Sequence, residues 1–206
     1  MNRIIVFLFL LYLLPYSICI ADSDAFSQGK QYLAQGKNDE ALGEFQKVPL
    51  KSEKFWDSFN EIQKIYYQNE KWSKFFAYNA FYRSFLFANP GLVQALLDIR
   101  PLGLEVLALG RLCRYQDAKL LIEKIRPLIV RFQPMELGLL DEIAQQLYLM
   151  ENVKNFRSSN ADSLTEQILT SHTISWQIDP TKLSQTTLMP QNLEMQVESK
   201  CRGVQL

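Results

Sequence analysis

Apolar residues recur at helical spacing along most of this chain. The pattern predicts helices separated by short breaks from Asp22 to about Arg157, and no convincing pair of strands lies among them. These short breaks are rich in Gly, Pro and Asn. The predicted helices span 25–35, 39–48, 55–67, 72–87, a short stretch ending near Ile99, a stretch from Leu102, 116–126 and 135–150. The pattern therefore predicts an all-α fold.

Proline sets two of the predicted helix boundaries. Pro101 and Gly103 interrupt an otherwise apolar helical pattern, so one helix is expected to end near Ile99 and the next to begin near Leu102. Pro127 follows the apolar stripe at 116–126 and is expected to begin a transition to the next helix.

The first 21 residues are predicted to be a signal peptide. Arg3 precedes an apolar run, Pro15 ends the run, and Ala21 offers a small residue before Asp22. The alternative is an uncleaved N-terminal anchor, since the 17 residues of 4–20 are at the short edge of a membrane span. Either reading predicts export. The chain has no Asn-x-Ser/Thr site, which favours a bacterial periplasm, with an inner-membrane anchor facing the periplasm or secretion as alternatives.

The C-terminal part has a different composition. A helical domain is predicted over 22–157, and a Ser/Thr/Gln-rich, largely flexible tail over 158–206. Within the tail, 162–169 fits a short helix, and Ile174, Trp176 and Ile178 alternate with polar residues as in a single strand. This segment either folds back over the domain or reaches another molecule.

One segment carries a repeat pattern. Gly29 and Tyr32 lie three residues apart, Ala41 and Phe45 lie four apart, and Gly36 stands between the two pairs. This arrangement resembles the tetratricopeptide repeat family. The resemblance implies antiparallel helix pairs stacked as a short right-handed array. It also implies that Gly29 and Ala41 allow close helix approach while Tyr32 and Phe45 fill the space between the helices.

The family's period of 34 residues supports a second unit. A shift of 34 carries Ala25, Gln28 and Tyr32 to Phe59, Ile62 and Tyr66, which supply large residues at those positions. A third unit around Tyr115, Ala118 and Ile122 comes later than the period requires, so an insertion near 92–102 is expected. Members of this family commonly act as noncatalytic adaptors, and the resemblance implies a protein partner in an envelope assembly.

The residues give little support for catalysis. The chain has 22 basic and 22 acidic residues, which does not call for nucleic acid. Its one histidine, His172, lies in the tail, and no HExxH, CxxC, GxSxG or phosphate-binding glycine motif occurs. We therefore expect no catalytic residues, metal ligands or cofactor. An enzyme with an unrecognised site is kept as a third hypothesis.

Aromatic residues are concentrated in one region. Of the 25 aromatic residues, 13 lie within 55–87, and on the helix at 72–87 they project from more than one face. The partner-binding candidates are Trp72, Phe76, Phe81 and Trp176. The alternatives are a buried helix, or a carrier site for an apolar small molecule or lipid. A basic excess across 100–131 indicates neighbouring acidic helices or an acidic partner.

Removal of the leader leaves two cysteines. Cys113 and Cys201 are the candidate disulfide pair in an oxidising compartment, and two separate thiols are the alternative.

Overall fold

The computed structural model describes residues 24–89, 93–152, 159–170, 195, 196, 198, 200 and 201. Within these residues every regular element is helical and none is a strand, which confirms the all-α class. The predicted leader at 1–21, His172 and the segment around Trp176 lie outside the described residues. No helix in the described part of the chain is long and apolar enough to span a membrane.

The helices follow one another with short connections. Their bounds are α1 at 24–34, α2 at Asn38–Phe45, α3 at Phe55–Gln68, α4 at Trp72–Ala88, α5 at Val93–Leu96, α6 at Ile99–Arg111, α7 at Tyr115–Phe132, α8 at Leu137–Asn152 and α9 at Ser159–Thr170. A 3-10 turn at Pro134–Glu136 precedes α8.

The described helices form two compact units, where the sequence predicted one domain over 22–157. The first unit ends at Ile65 and the second begins at Tyr66, within α3. The helical core of the second unit also continues past 157. On α9, the side chains of Leu164, Ile168 and Leu169 are buried, and the helix packs on α6 and α8. The helix expected at 162–169 is thus present, and its apolar face packs in the core of the second unit.

The first unit is organised around Phe45. This side chain is fully buried, and the Phe26 ring on α1 lies 5.7 Å from the Phe45 ring between centroids. Gly29 is also buried, and a Cβ added there would lie 2.5 Å from the Phe45 ring. Because Gly29 has no side chain, α1 and α2 can approach each other closely. Tyr32, by contrast, is only half-buried.

The second unit is organised around α6. Helices α4, α7, α8 and α9 all pack against α6. Nearly every α6 residue is buried, because other helices pack on several of its sides. Helix α6 is therefore the central helix of the second unit.

Helix α6 begins earlier than the sequence predicted. Asp98 caps it, with its carboxylate accepting the Arg100 backbone N–H at 2.9 Å. Pro101 is then the third residue of the helix, where a backbone N–H has no partner within the helix. The proline therefore costs no helical hydrogen bond, and the expected start near Leu102 is wrong.

The predicted break at Pro127 is also wrong, because α7 continues through it to Phe132. Pro127 is exposed, whereas Ile125 and Ile129 on either side are buried. Water can therefore solvate the backbone carbonyl that the proline leaves without a donor. Burial of the flanking isoleucines favours the continuous helix.

Three helix ends share one turn geometry. Residues Gly36, Glu70 and Cys113 have φ of 72°, 53° and 55°, in the left-handed region. At each of them, the N–H of the following residue donates to a carbonyl five residues earlier, at 2.9, 2.8 and 2.8 Å. A new helix begins two residues after each of these turns. The chain thus uses the same helix–turn–helix corner three times, and only the first has the glycine that this conformation favours.

Candidate functional site

An apolar groove lies between α4 and α7 in the second unit. Its floor is α6, which contributes Leu102, Glu105 and Leu109. The cavity has a volume of about 340 Å³, which is within the range of about 300–1,000 Å³ typical of ligand sites. The groove is therefore large enough to hold one or more apolar side chains.

Large apolar side chains form both walls of the groove. Phe76, Leu86 and Phe87 line it from α4. On the α7 side, the lining comes from Leu120, Leu121, Ile125 and Leu128. Phe87 and Leu120 are 56% and 53% exposed, so the rim is open to solvent. Apolar side chains exposed at the edge of an apolar groove are typical of a binding surface.

Charged groups lie within and beside the apolar walls. Arg83 forms an ion pair with Glu105, whose side chain is 5% exposed. Arg114 pairs with Asp117 at 2.7 Å, and Lys124 lies on the same wall. Among the described residues, Lys124 has no ion-pair partner. The groove therefore carries more positive than negative charge.

Burial changes the acidity of Glu105. Loss of hydration raises the pKa of this carboxyl above its ordinary value of 4.5, and the Arg83 guanidinium opposes the shift. The folded protein therefore holds this proton to a higher pH than the unfolded chain does. The contribution of Glu105 to the free energy of unfolding thus falls as pH rises from about 4.5 through its folded pKa.

We predict a pH-dependent effect of Glu105→Gln. The variant has no carboxyl group that must ionise in a buried position. The free energy of unfolding of the variant minus that of the wild type should therefore increase as pH rises above about 4.5, and then reach a plateau. Urea unfolding across about pH 4 to 7 measures this difference. Glu123→Gln, on an exposed position of α7, is the matched control. A difference that stays constant, or that shrinks with rising pH, contradicts the assignment.

A C-terminal strap closes one end of the groove. We define the strap as the described residues Met195, Gln196, Glu198, Lys200 and Cys201. Met195 lines the groove, and its N–H donates to the Ser73 carbonyl on α4 at 3.2 Å. The Lys200 N–H donates to the Leu112 carbonyl at 2.9 Å. Cys201 forms a disulfide with Cys113, with a Cα–Cα distance of 5.1 Å.

Several contacts attach the strap to the helices. Holding the described strap residues in one conformation costs conformational entropy, about 1–2 kcal/mol for the backbone of each residue. The two backbone hydrogen bonds return only about 1–3 kcal/mol. The ion pair between Lys200 and Asp117 is long, at 4.0 Å, and mostly exposed, so it adds little. The disulfide adds a covalent link between the strap and the corner that follows α6.

The four aromatic partner-binding candidates differ in their exposure and contacts. The side chains of Trp72 and Phe76 are buried, at 7% and 3% exposed. Trp72 packs edge-on against Tyr67, and Phe76 faces the groove as part of its wall. Phe81 is partly exposed and lies 6.2 Å from the Phe85 ring. Trp176 lies outside the described residues.

Most of the residues that the sequence assigned to repeat packing lie in the core. Ala41, Phe45, Phe59 and Ile62 are fully buried, and Tyr66 is 5% exposed. The Tyr66 ring packs against the Tyr78 ring at 5.4 Å. These residues stabilise the helices rather than form a site.

Three basic residues of α6 and α7 face acidic residues of neighbouring helices. Lys119 pairs with Glu151 at 2.7 Å, and Arg126 pairs with Asp141 at 2.7 Å. Arg111 pairs with Asp162 at 2.5 Å. Attraction between helices accounts for these three cations. Within the described ranges, no group of three or more His, Cys, Asp or Glu residues is placed to hold a metal ion.

The groove itself was missed by the sequence reasoning. On α7, Leu120, Lys124 and Leu128 follow one another at intervals of four residues and so share one face of the helix. This face lies next to the one that carries the buried Leu121 and Ile125. A second apolar stripe beside the core stripe was therefore the available signal.

Comparisons with protein-family models, with curated proteins and with solved structures find no match.

Proposed function

We propose that this protein is a noncatalytic adaptor of the cell envelope that holds a segment of a partner polypeptide in the α4–α7 groove. The observation that carries the proposal is an apolar groove with a solvent-exposed apolar rim. Phe87 and Leu120 stand at that rim, more than half exposed, above the buried floor of α6. A partner side chain inserted there would remove both of them from water and thereby favour binding.

The groove favours a polypeptide segment over an enclosed ligand. Small-molecule sites usually bury about 70–90% of the ligand surface, whereas this cavity is open along its rim. An open groove between helices is typical of peptide recognition, in which apolar anchors enter and the rest of the segment stays at the surface. The segment would lie along the wall formed by α7.

The charges indicate the chemistry of the partner segment. Lys124 has no ion pair within the described residues, and Arg114 and Lys200 both face the single carboxylate of Asp117. An acidic group next to the apolar anchor would satisfy this excess of positive charge. We therefore propose a partner segment that carries a large apolar residue close to Asp or Glu.

We expect substitutions at the groove to disrupt capture of the partner. Leu120→Asp, in the tagged full-length chain purified from the native envelope, should lower the recovered partner about tenfold or more, because it places a charge at the apolar rim. Val130→Asp is the matched control, since Val130 is 52% exposed on the same helix and does not line the groove. Lys124→Glu should also reduce recovery, with helix content unchanged. Equal recovery with the Leu120 and Val130 variants contradicts the proposal.

A second candidate function is the carriage of an apolar small molecule or lipid. The apolar floor of the groove favours it. Native mass spectrometry of the purified protein distinguishes the two, because a carrier retains a small extracted ligand and an adaptor retains a polypeptide.

Two further features of the proposal concern architecture and location. We propose that the helix pairs stack as a short right-handed array of the tetratricopeptide type, and the repeated corner at Gly36, Glu70 and Cys113 supports this. We also propose export to a bacterial periplasm, which the Cys113–Cys201 disulfide supports, because disulfides persist in oxidising compartments.

A further inference from the structure

We infer that the disulfide between Cys113 and Cys201 controls the binding competence of the groove. The strap forms the end wall of the groove only while this bond is intact, and reduction by an external dithiol weakens the hold on an occupant. The inference rests on the proposed function of the groove and adds its regulation.

The geometry of the helices places the strap across the groove end. The Tyr82 hydroxyl in the second half of α4 accepts the N–H of Asp98 at the start of α6. At the other end, Trp72 at the start of α4 and Arg111 at the end of α6 both contact the Tyr67 ring, so the two helices run antiparallel. The start of α4 and the corner between α6 and α7 therefore lie at the same end. The strap joins these two places, through Ser73 at one side and through Leu112 and Cys113 at the other.

The strap is part of the binding surface as well as a link. The Met195 side chain lines the groove and is 37% exposed, so it adds apolar surface to the end wall. Holding this side chain in place before binding lowers the entropy that an occupant must overcome. The disulfide is the covalent link between the strap and the corner after α6, so its loss loosens the strap and with it the Met195 side chain in the end wall.

The chemistry requires only a dithiol. A thiolate of the external dithiol attacks one sulfur of the Cys113–Cys201 bond, breaks it and forms a mixed disulfide. The second thiol of the reductant then attacks that mixed disulfide. The reductant leaves as a cyclic disulfide, and its two electrons and two protons remain on the Cys113 and Cys201 thiols. Both cysteines are partly exposed, so an external thiol can approach.

The test measures binding of an apolar probe to the full-length chain. N-phenyl-1-naphthylamine fluorescence is titrated against the oxidised protein and against protein reduced with dithiothreitol. We expect the dissociation constant to be about fivefold higher after reduction, since the end wall is lost. Met195→Ser, which keeps the disulfide, should raise the dissociation constant of the oxidised protein by part of that amount. The double variant Cys113→Ser/Cys201→Ser should bind as the reduced protein does, with no response to dithiothreitol.

Helix content from circular dichroism is recorded for every sample. If the double variant does not fold, wild-type protein that is reduced and alkylated under conditions of unchanged helix content replaces it. Equal affinity of the oxidised and reduced forms, or tighter binding after reduction, overturns the inference. The proposal that the groove binds a partner is not affected by that result. If Leu120→Asp does not weaken probe binding to the oxidised protein, the groove itself is overturned, and the proposed function fails with the inference.

Discussion

Gly29→Ala is expected to lower the free energy of unfolding of the first unit by about 3 kcal/mol. The new methyl group would meet three atoms of the Phe45 ring at 2.5, 2.7 and 2.9 Å, closer than real contacts allow. Phe45 is fully buried, so its ring has no free space into which it can move. Helices α1 and α2 must therefore separate. Urea unfolding, followed by circular dichroism, measures the loss.

Gly43→Ala is the matched control for this prediction. Gly43 lies within α2, and a Cβ added there has no neighbour within 4 Å. Alanine should therefore stabilise the helix by about 0.5–1 kcal/mol, because it restricts the unfolded chain. In a Phe45→Leu background, Gly29→Ala should cost clearly less than in the wild type, because the ring is gone. Similar effects of the two glycine substitutions contradict the proposed close contact.

Tyr82→Phe is expected to cost about 2 kcal/mol of unfolding free energy. The Tyr82 side chain is 1% exposed, and its hydroxyl accepts the Asp98 backbone N–H at 2.7 Å. Burial raises the pKa of Tyr82, and the neighbouring Asp98 carboxylate adds to the shift, so the hydroxyl stays protonated. Removal of the hydroxyl leaves a buried N–H without a partner at the residue that caps α6.

Tyr148→Phe is the control, because Tyr148 is 62% exposed on α8. Its effect on urea unfolding should be close to zero. Because α6 is the groove floor, Tyr82→Phe should also weaken binding of the apolar probe. Unchanged stability of the Tyr82 variant would show that the contact with Asp98 does not hold the start of α6.

Helical periodicity was sufficient to predict the class of fold and most helix bounds. The helices at 55–67 and 72–87 differ from α3 and α4 by one residue at the C-terminal end. The errors at Pro101 and Pro127 have one cause: the position of a proline in a helix decides its cost, and sequence alone does not give that position. Pro101 falls in the first turn, and Pro127 falls on an exposed face.

The turn geometry was only partly visible in the sequence. Gly36 signalled its left-handed conformation, but Glu70 and Cys113 adopt the same conformation without a glycine. Local hydrogen bonds to the preceding helix hold those two corners, and neither Glu70 nor Cys113 is a residue type that signals the left-handed conformation.

The candidate site was the least predictable part. Helix α4 carries aromatic residues on several faces, so the sequence could not show which of them would be covered by neighbouring helices. Trp72 and Phe76 are buried, while Phe87 remains exposed at the groove rim. The groove depends on the spacing of α4 and α7 on α6. That spacing follows from packing around α6, which no local pattern contains.

Photo-crosslinking from a single groove position tests the account most directly. A photoreactive amino acid is placed at Leu120 in the full-length chain, with Val130 as the control position on the same helix, and crosslinked peptides from the native envelope are sequenced by mass spectrometry. The account predicts adducts at Leu120, absent at Val130, on a partner peptide that carries a large apolar residue beside Asp or Glu. Equal adducts at both positions, or adducts at Leu120 with a small molecule alone, would contradict it.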